Sequence, residues 1–445
     1  MPSSSPPIHR RAFQRSLVAC GLATPWLAHP NLRAQGQKPA PSDRLRVGVI
    51  GLGSRGFNLI DDLLKLPDVE IPVVCDVDRM HYRDRPWGSN GLVYGRDPAQ
   101  SYIETKSGRR PEAVIDFRDV CQREDLDAVI VATPDHWHAL CALTALRHGK
   151  AVYCEKPVTH TFQEGLAICA EVERQKAVFQ VGSQQRSEAV FRRAVELVRN
   201  GVLGKLQTIE VGLASGYEQP QDSTEEQTPP SDLDYERWCG PAPVLAYMRA
   251  RHHRWWRGHR AFGGGVLMDW IGHHNDIAHW AMDLDASGPT RIEALDWQFP
   301  ETKVYNTPWH YTIRCDYADG VTSTISDRHP VGTKMVGSHG WLHVTRGKLT
   351  TSDPAWNAKD FEAGPFRLAP SPGHMRNFID SVKGTATCVA PAQAGHRSIT
   401  PGHLGYVSQA LGRALRWDPA AQKILDDPEA DSLLRQNVYR TPWQL

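Results

Sequence analysis

Between Leu45 and Asp76 the chain reads LRVGVIGLGSRGFNLIDDLLKLPDVEIPVVCD, an order of residue types that admits few folds. Val47, Val49 and Ile50 form a short apolar run of β type. Gly51-Leu52-Gly53-Ser54-Arg55-Gly56 follows in G-x-G-x-x-G spacing, and a helical stretch then leads to a second apolar run, Ile71 to Cys75. Gly51 permits the tight turn out of the strand, Gly53 lets a pyrophosphate approach the backbone, and Gly56 lets the helix lie close to the sheet. Ser54 and Arg55 open that helix, where unpaired N–H groups and the dipole favour an anion. Asp76 stands twenty residues beyond Gly56, the distance at which a carboxylate accepts from the adenosine ribose hydroxyls, with Asp78 as the fallback. Strand, glycine turn, helix, strand and acid together predict a dinucleotide site. Asp76 repels a 2′-phosphate, so NAD is expected over NADP, although Arg79 close behind softens that preference.

Composition narrows the function classes. At 445 residues the chain predicts two or three domains. Its formal charge of +1 indicates neither a nucleic-acid surface nor an acidic membrane. No apolar run approaches the roughly 18 residues of a membrane helix, so no membrane span is expected. Nine scattered cysteines contain no C-x-x-C pair and suggest no metal cluster.

Residues 1–42 are expected to lie outside the fold, as an export signal and spacer. Arg10-Arg11-Ala12-Phe13-Gln14-Arg15 is a twin-arginine pattern, followed by an apolar stretch from Ser16 to Ala28 and a spacer to Ser42, with no acid before Asp43. A periplasmic or otherwise exported protein follows. Leu17 to Gly21 also has the form of a lipoprotein box around Cys20, but too few apolar residues precede that cysteine.

Beyond Asp76, residues 81–111 read as a loop-rich insertion with several glycine breakers. Val114 to Phe117 and Ala128 to Ala132 read as buried strands, the second ending in Thr133-Pro134-Asp135-His136-Trp137-His138. Ligands of open α/β sheets bind at strand carboxyl ends, so that turn should face the cofactor. Leu140 to His148 reads as a helix. Ala151 to Cys154 reads as a strand ending in Glu155-Lys156-Pro157, where the proline fixes the backbone behind a lysine suited to chemistry.

The glycine turn, the T-P-x-x-x-H turn and the E-K-P strand end, in this order, resemble the Gfo/Idh/MocA family of glucose/fructose oxidoreductases and inositol dehydrogenases. The resemblance runs from about Arg46 to near the C-terminus. It implies an α/β fold: an N-terminal Rossmann domain, here placed at 43–160, and a substrate-binding α/β domain, 161–445, with an open, mostly antiparallel sheet. It also implies that Lys156 assists catalysis beside the nicotinamide, that Thr133, Pro134, His138 and Glu155 lie along the cofactor, and that the turn holding Gln184 sits near its reactive end.

In the second domain, Arg249 to Arg260 (RARHHRWWRGHR) is rich in arginine, histidine and tryptophan. Trp255 and Trp256 suit the apolar faces of a sugar ring, with Arg254 and Arg257 as hydroxyl donors; a tryptophan pair packed under a loop is the alternative. Gly263 to Asp276 reads as a helix opened by glycines, with Asp269, His273 and Asp276 on one face. A carboxylate one turn away can orient a histidine and tune it toward neutral pH, as a general base requires. The stretch is similar to the family's G-G-G-x-x-x-D-x-G-x-H pattern, which puts the catalytic aspartate at Asp269 and the histidine at His273. Ile271 stands where the family has glycine, and His274 follows directly, which leaves open a rotated helix in which His274 meets the substrate. A zinc site from His252, His253, His273 and His274 is rejected, because adjacent helical histidines point about 100° apart; no metal is expected.

Later segments read as strands from Trp309 to Tyr317, Val321 to Ser326, Met335 to Ser338 and Gly340 to Thr345, then helices from Met375 to Val382 and His403 to Arg416. The tail with Tyr439 and Trp443 is expected on a neighbouring subunit of a homo-oligomer. The expectation is an NAD(P)-dependent oxidoreductase acting on a hydroxyl of a sugar, polyol or glycoside with internally recycled cofactor. An NAD-dependent glycosidase or lyase that oxidises a ring carbon transiently is the alternative.

Overall fold

The computed structural model describes residues 44–83 and 91–445. The twin-arginine pattern, the spacer and Cys20 lie outside the described residues.

The first part alternates strand and helix. In chain order come β1 (Leu45–Ile50), α1 (Ser54–Leu64), β2 (Val69–Cys75), a two-stranded hairpin of β3 (His81–Tyr82) and β4 (Val93–Tyr94), and α2 (Arg96–Ser107). They are followed by β5 (Glu112–Val114), α3 (Phe117–Cys121), β6 (Ala128–Val131), α4 (Asp135–Arg147), β7 (Ala151–Cys154), α5 (Phe162–Gln175) and β8 (Phe179–Val181). Six of these strands form one parallel sheet in the order β5-β2-β1-β6-β7-β8. Without the hairpin that order is 3-2-1-4-5-6, the doubly wound arrangement whose crevice opens between the first and fourth strands. Every residue of β6 is buried, as a parallel strand covered on both faces by helices requires.

The parallel sheet carries past the expected boundary at residue 160, because β8 pairs with β7 through Val152, Tyr153 and Cys154. The crossover helix α5 that makes this pairing starts at a complete capping box: Thr161 Oγ1 accepts from the Glu164 N–H, and Glu164 Oε2 accepts from the Thr161 N–H at 2.8 Å. Residues 96–107, within the stretch expected to be loop-rich, form α2, bracketed by Gly95 and Gly108. Val114 ends its strand early: Asp116 accepts from the Arg118 N–H and caps α3. α4 also begins five residues before the expected Leu140. Pro134 sits at its N-cap with a φ of −59°, and Asp135 in the first turn complements the dipole.

The second part contains α6 (Ala189–Arg199), β9 (Leu206–Gly212), α7 (Tyr235–Cys239), α8 (Gly265–Ala281), β10 (Arg291–Gln298), β11 (His310–Asp316), β12 (Thr322–Ser326), β13 (Gly332–Gly337), β14 (Gly340–Thr345) and β15 (Lys348–Thr351). It closes with α9 (His374–Val382), α10 (Ala392–Leu411), β16 (Leu415–Asp418), β17 (Lys423–Leu425) and α11 (Pro428–Leu434). Nine strands form one sheet, β15-β14-β13-β9-β12-β11-β10-β16-β17, in which only β9 and β12 pair in parallel. α8 and α10 pack together on this sheet. The expected helix from His403 to Arg416 therefore starts earlier, at Ala392, and ends at Leu411, with Leu415 to Trp417 given over to the sheet.

The C-terminal tail lies on its own chain. The Tyr439 hydroxyl donates to Glu164 Oε1 at 2.6 Å, and the Trp443 ring meets Trp137 edge-on, with centroids 4.8 Å apart. This replaces the expectation that the tail reaches a neighbouring subunit. No described helix is long and apolar enough to cross a membrane.

Candidate active site

One cleft of about 1050 Å³ runs from the glycine turn past the ends of β1, β2, β6 and β7 to the second-domain residues Trp255, Arg257, Asp269, Trp270 and His273. It is large enough for a dinucleotide and a small polar substrate together. At the nucleotide end the three glycines have the backbone geometry that the spacing implies. Gly51 has a φ of +92°. A β-carbon on Gly56 would stand 2.0 Å from the Gly51 carbonyl oxygen, whereas one on Gly53 would meet nothing within 4 Å, the open approach a pyrophosphate needs. Thr133 Oγ1 is buried there without a hydrogen-bond partner, and Pro134 lines the same wall.

Asp76 accepts from the Leu52 N–H at 2.6 Å and from the Asp78 N–H at 2.9 Å, which fixes its carboxylate at the end of β2 beside the glycine turn. Burial, and then neighbouring Asp78, push its pKa up. Asp78 is not free for the fallback role, because its Oδ2 lies 3.3 Å from His81 Nδ1 and 3.2 Å from His253 Nε2. Arg79 is likewise engaged, by Asp232 at 2.7 Å and Asp97 at 3.2 Å, so it is not poised to soften the cofactor choice. Arg83 donates to Ser54 Oγ at 2.7 Å, which brings a cation to the glycine turn. Asp76→Ser should shift preference toward NADP, checked by the ratio of NAD to NADP affinities. A wild type that already binds NADP more tightly contradicts the assignment of Asp76.

Glu155 is buried and paired with Arg55, whose Nε donates to Oε1 at 2.7 Å; Gln184 Nε2 donates to the same oxygen at 3.1 Å. Burial raises the Glu155 pKa, but Arg55 and Lys156 outweigh it and hold the carboxylate ionised. Three expected cofactor residues are thereby one linked group. His138 lines the cleft, but both ring nitrogens are committed to backbone: Nδ1 lies 2.7 Å from the Pro157 carbonyl and Nε2 2.9 Å from the Thr133 carbonyl. It ties the T-P turn to the E-K-P turn and positions the cofactor wall.

At the chemical end, Lys156 Nζ donates to Asp269 Oδ1 at 2.6 Å and to the Asp269 carbonyl at 2.9 Å, and Arg257 Nε lies 3.1 Å from the same Oδ1. Burial raises the Asp269 pKa; Arg257 and Lys156 more than reverse this and keep it well below the usual carboxylate range. Asp269 thus orients Lys156, not His273 as the i, i+4 spacing suggested. Asp276, the third member of the expected stripe, faces away into a buried ion pair with Arg186 at 2.8 Å.

α8 runs unbroken through Ile271, and its only half-buried residues are Asp269 and Trp270. Its phase puts His273 in the cleft. His274 is fully buried and does not line it. Burial, then Lys156 and Arg346, lower the His273 pKa well below its ordinary value, so the imidazole is neutral rather than tuned to neutral pH, and its Nδ1 has no hydrogen-bond partner. Trp255 keeps its place in the cleft, under the Arg254 guanidinium at 4.2 Å and edge-on to Tyr217 at 5.6 Å. Trp256 also lines the cleft, while its ring packs with Phe262 and Trp238 in a small separate core, so it serves both of the roles read for the tryptophan pair.

Several cleft residues were not singled out from sequence. Tyr217 lies in the connection between β9 and α7, and Arg346 lies in the β14–β15 turn. Asp135 had one signal, its position at the end of a parallel strand. It is buried, its Oδ2 has no hydrogen-bond partner, and burial pushes its pKa up to about 7 despite Arg257. A carboxyl whose folded pKa is raised favours folding below its unfolded pKa, and that contribution is lost as pH rises through the folded value. Wild type should therefore lose stability relative to Asp135→Asn between about pH 4 and pH 7. Parallel melting curves over that range contradict the assignment.

A cleft joining a Rossmann glycine turn to a lysine, a carboxylate and a neutral histidine defines a dinucleotide-dependent oxidoreductase. Residues 45–183 match the family model described as oxidoreductase family, NAD-binding Rossmann fold, and residues 188–445 match the C-terminal alpha/beta domain of the same family. The chain belongs to the Gfo/Idh/MocA oxidoreductase family. It is 28% identical over 220 residues to a glycosyl hydrolase family 109 protein of Shewanella baltica (strain OS155), and 28% identical over 218 residues to an alpha-N-acetylgalactosaminidase of Shewanella oneidensis. Each match spans 45% of this chain and 44% of the relative, so the chain covers less than half of those relatives' length. The fold is similar to that of the WlbA dehydrogenase of Bordetella pertussis in complex with NADH and UDP-GlcNAcA, with a TM-score of 0.59 at 16% identity over 84% of this chain and 99% of that one.

Proposed function

We propose that this protein oxidises a hydroxyl of a sugar, polyol or glycoside, with Lys156 and His273 handling the hydroxyl proton. The observation that carries the reading is the Lys156–Asp269–Arg257 ion group, standing with neutral His273 in the cleft that begins at the glycine turn. Bound NAD, held by the glycine turn, Asp76 and the Arg55–Glu155–Gln184 group, supplies a two-electron acceptor. Lys156 donates to the substrate oxygen and stabilises the negative charge that builds there as its proton leaves. His273, neutral and lining the cleft, accepts that proton. Asp269 holds Lys156 in place. Trp255 offers a ring face to the substrate, and Arg254 a donor to its hydroxyls.

The twin-arginine pattern supports export of the folded protein to the periplasm. Little free NAD is expected there, so the cofactor stays bound and is recycled in place. A homo-oligomer completes the reading. Protein purified without nucleotide should carry NAD(H) at about one per chain, and a screen of sugars and glycosides should find compounds that change its nicotinamide absorbance. A nucleotide-free preparation overturns the recycling, and a screen with no responding compound overturns the substrate class.

Two observations favour a second reading, redox-neutral cleavage of a glycoside through transient oxidation of a ring carbon. Curated relatives carry glycosyl hydrolase names. Asp135, with its pKa pushed up to about 7, also retains a proton that a leaving group can take. Release of an aglycone with no net change in bound NAD identifies this reading.

A further inference from the structure

Away from the chemical end, Asp78, His81 and His253 converge where β2 and the hairpin meet the arginine- and histidine-rich segment. Asp78 is 2% exposed. The carboxylate oxygen and the two ring nitrogens all lie within 4.8 Å of one another. His81 Nδ1 is buried and makes no hydrogen bond, although it stands 3.3 Å from Asp78 Oδ2; His253 Nε2 stands 3.2 Å from the same oxygen. An ion with tetrahedral bonds of about 2.0–2.1 Å separates its ligand atoms by about 3.3 Å, the spacing of Asp78 from each histidine here. His253 also has a φ of +46°, a strained setting for a residue with a β-carbon that aims its ring at Asp78.

We infer that Asp78, His81 and His253 form a binding site for a divalent transition-metal ion of the zinc class. Two imidazoles and one carboxylate suit such an ion and leave a position open to water, whereas magnesium or calcium would require oxygen donors. The site differs from the four-histidine set rejected on helical spacing, since His273 lies on α8 at the chemical end. Binding requires the stacked His81 and His253 rings, with centroids 3.7 Å apart, to splay. The ion would clasp Asp78 and His81 of the nucleotide domain to the segment that carries Trp255 and Arg257 into the cleft. This inference does not depend on the substrate or the reaction.

The test uses the full chain, treated with chelator and dialysed, then titrated with Zn²⁺ alone and followed by calorimetry, with Co²⁺ absorption as a second readout of the ligand set. Wild type should bind about one ion per chain with micromolar or tighter affinity and melt at a higher temperature when loaded. Asp78→Asn and His253→Ala should each weaken binding by about 10²-fold or more. A wild type that melts cooperatively yet binds no Zn²⁺ in this range overturns the site. So does stoichiometric binding that persists unchanged in His81→Ala and His253→Ala.

Discussion

Lys156→Met is expected to lower turnover by about 10²-fold or more while changing nucleotide affinity little. The ammonium is lost from a cleft where its partner Asp269 keeps a second cation, Arg257 at 3.1 Å, so the variant does not leave an unpaired buried carboxylate. The groups proposed to hold the nucleotide do not include the ammonium; among them are the glycine turn, Asp76 and the Arg55–Glu155 pair at 2.7 Å. The loss should therefore appear in kcat, with NAD binding followed separately by fluorescence. Near-normal turnover contradicts the role of Lys156, and a collapse of NAD affinity places that role in cofactor binding.

His273→Ala should cost turnover on a similar scale, about 10²-fold, because it removes the neutral proton acceptor from the cleft. His274→Ala should act differently. Its ring is fully buried against Trp270, with ring centroids 6.0 Å apart, and is absent from the cleft wall. The expected loss is thermal stability, with turnover per folded molecule retained within a few-fold. Melting temperature and kcat measured on both variants separate the two roles. If His274→Ala proves the crippling change and His273→Ala the mild one, the phase assigned to α8 is wrong.

The nucleotide end was legible in the sequence because its constraints are local. Gly51 must adopt a positive φ and Gly56 must leave room for the Gly51 carbonyl, and both demands fall within one short turn. The partner of Asp269 was not legible. Helical spacing offered His273 four residues on, yet the bond goes to Lys156, 113 residues away in sequence, which only the docking of α8 against the E-K-P turn brings near. The start of α10 was hidden for a similar reason. Gly395, Pro401, Gly402 and Gly405 look like breakers, but the helix is buried, and a β-carbon on Gly402 would stand 2.4 Å from Met268 Sδ. Tertiary packing overrides propensity where a small residue lets two elements touch. The place of the tail was not legible either, because the ring that Trp443 meets, Trp137, lies about three hundred residues earlier.

On the proposed function, a carbon–hydrogen bond of a carbohydrate is oxidised in this cleft by the bound nucleotide. The most direct test mixes NAD-loaded protein with a responding sugar deuterated at its ring carbons and reads the mass of the nucleotide released on denaturation. In a single turnover quenched before the hydride is returned, wild type should yield reduced nicotinamide carrying one deuterium, and Lys156→Met and His273→Ala should form it far more slowly. Reduced nicotinamide that forms in this single turnover without deuterium contradicts it, as does sugar consumed with no reduced nicotinamide at any quench time.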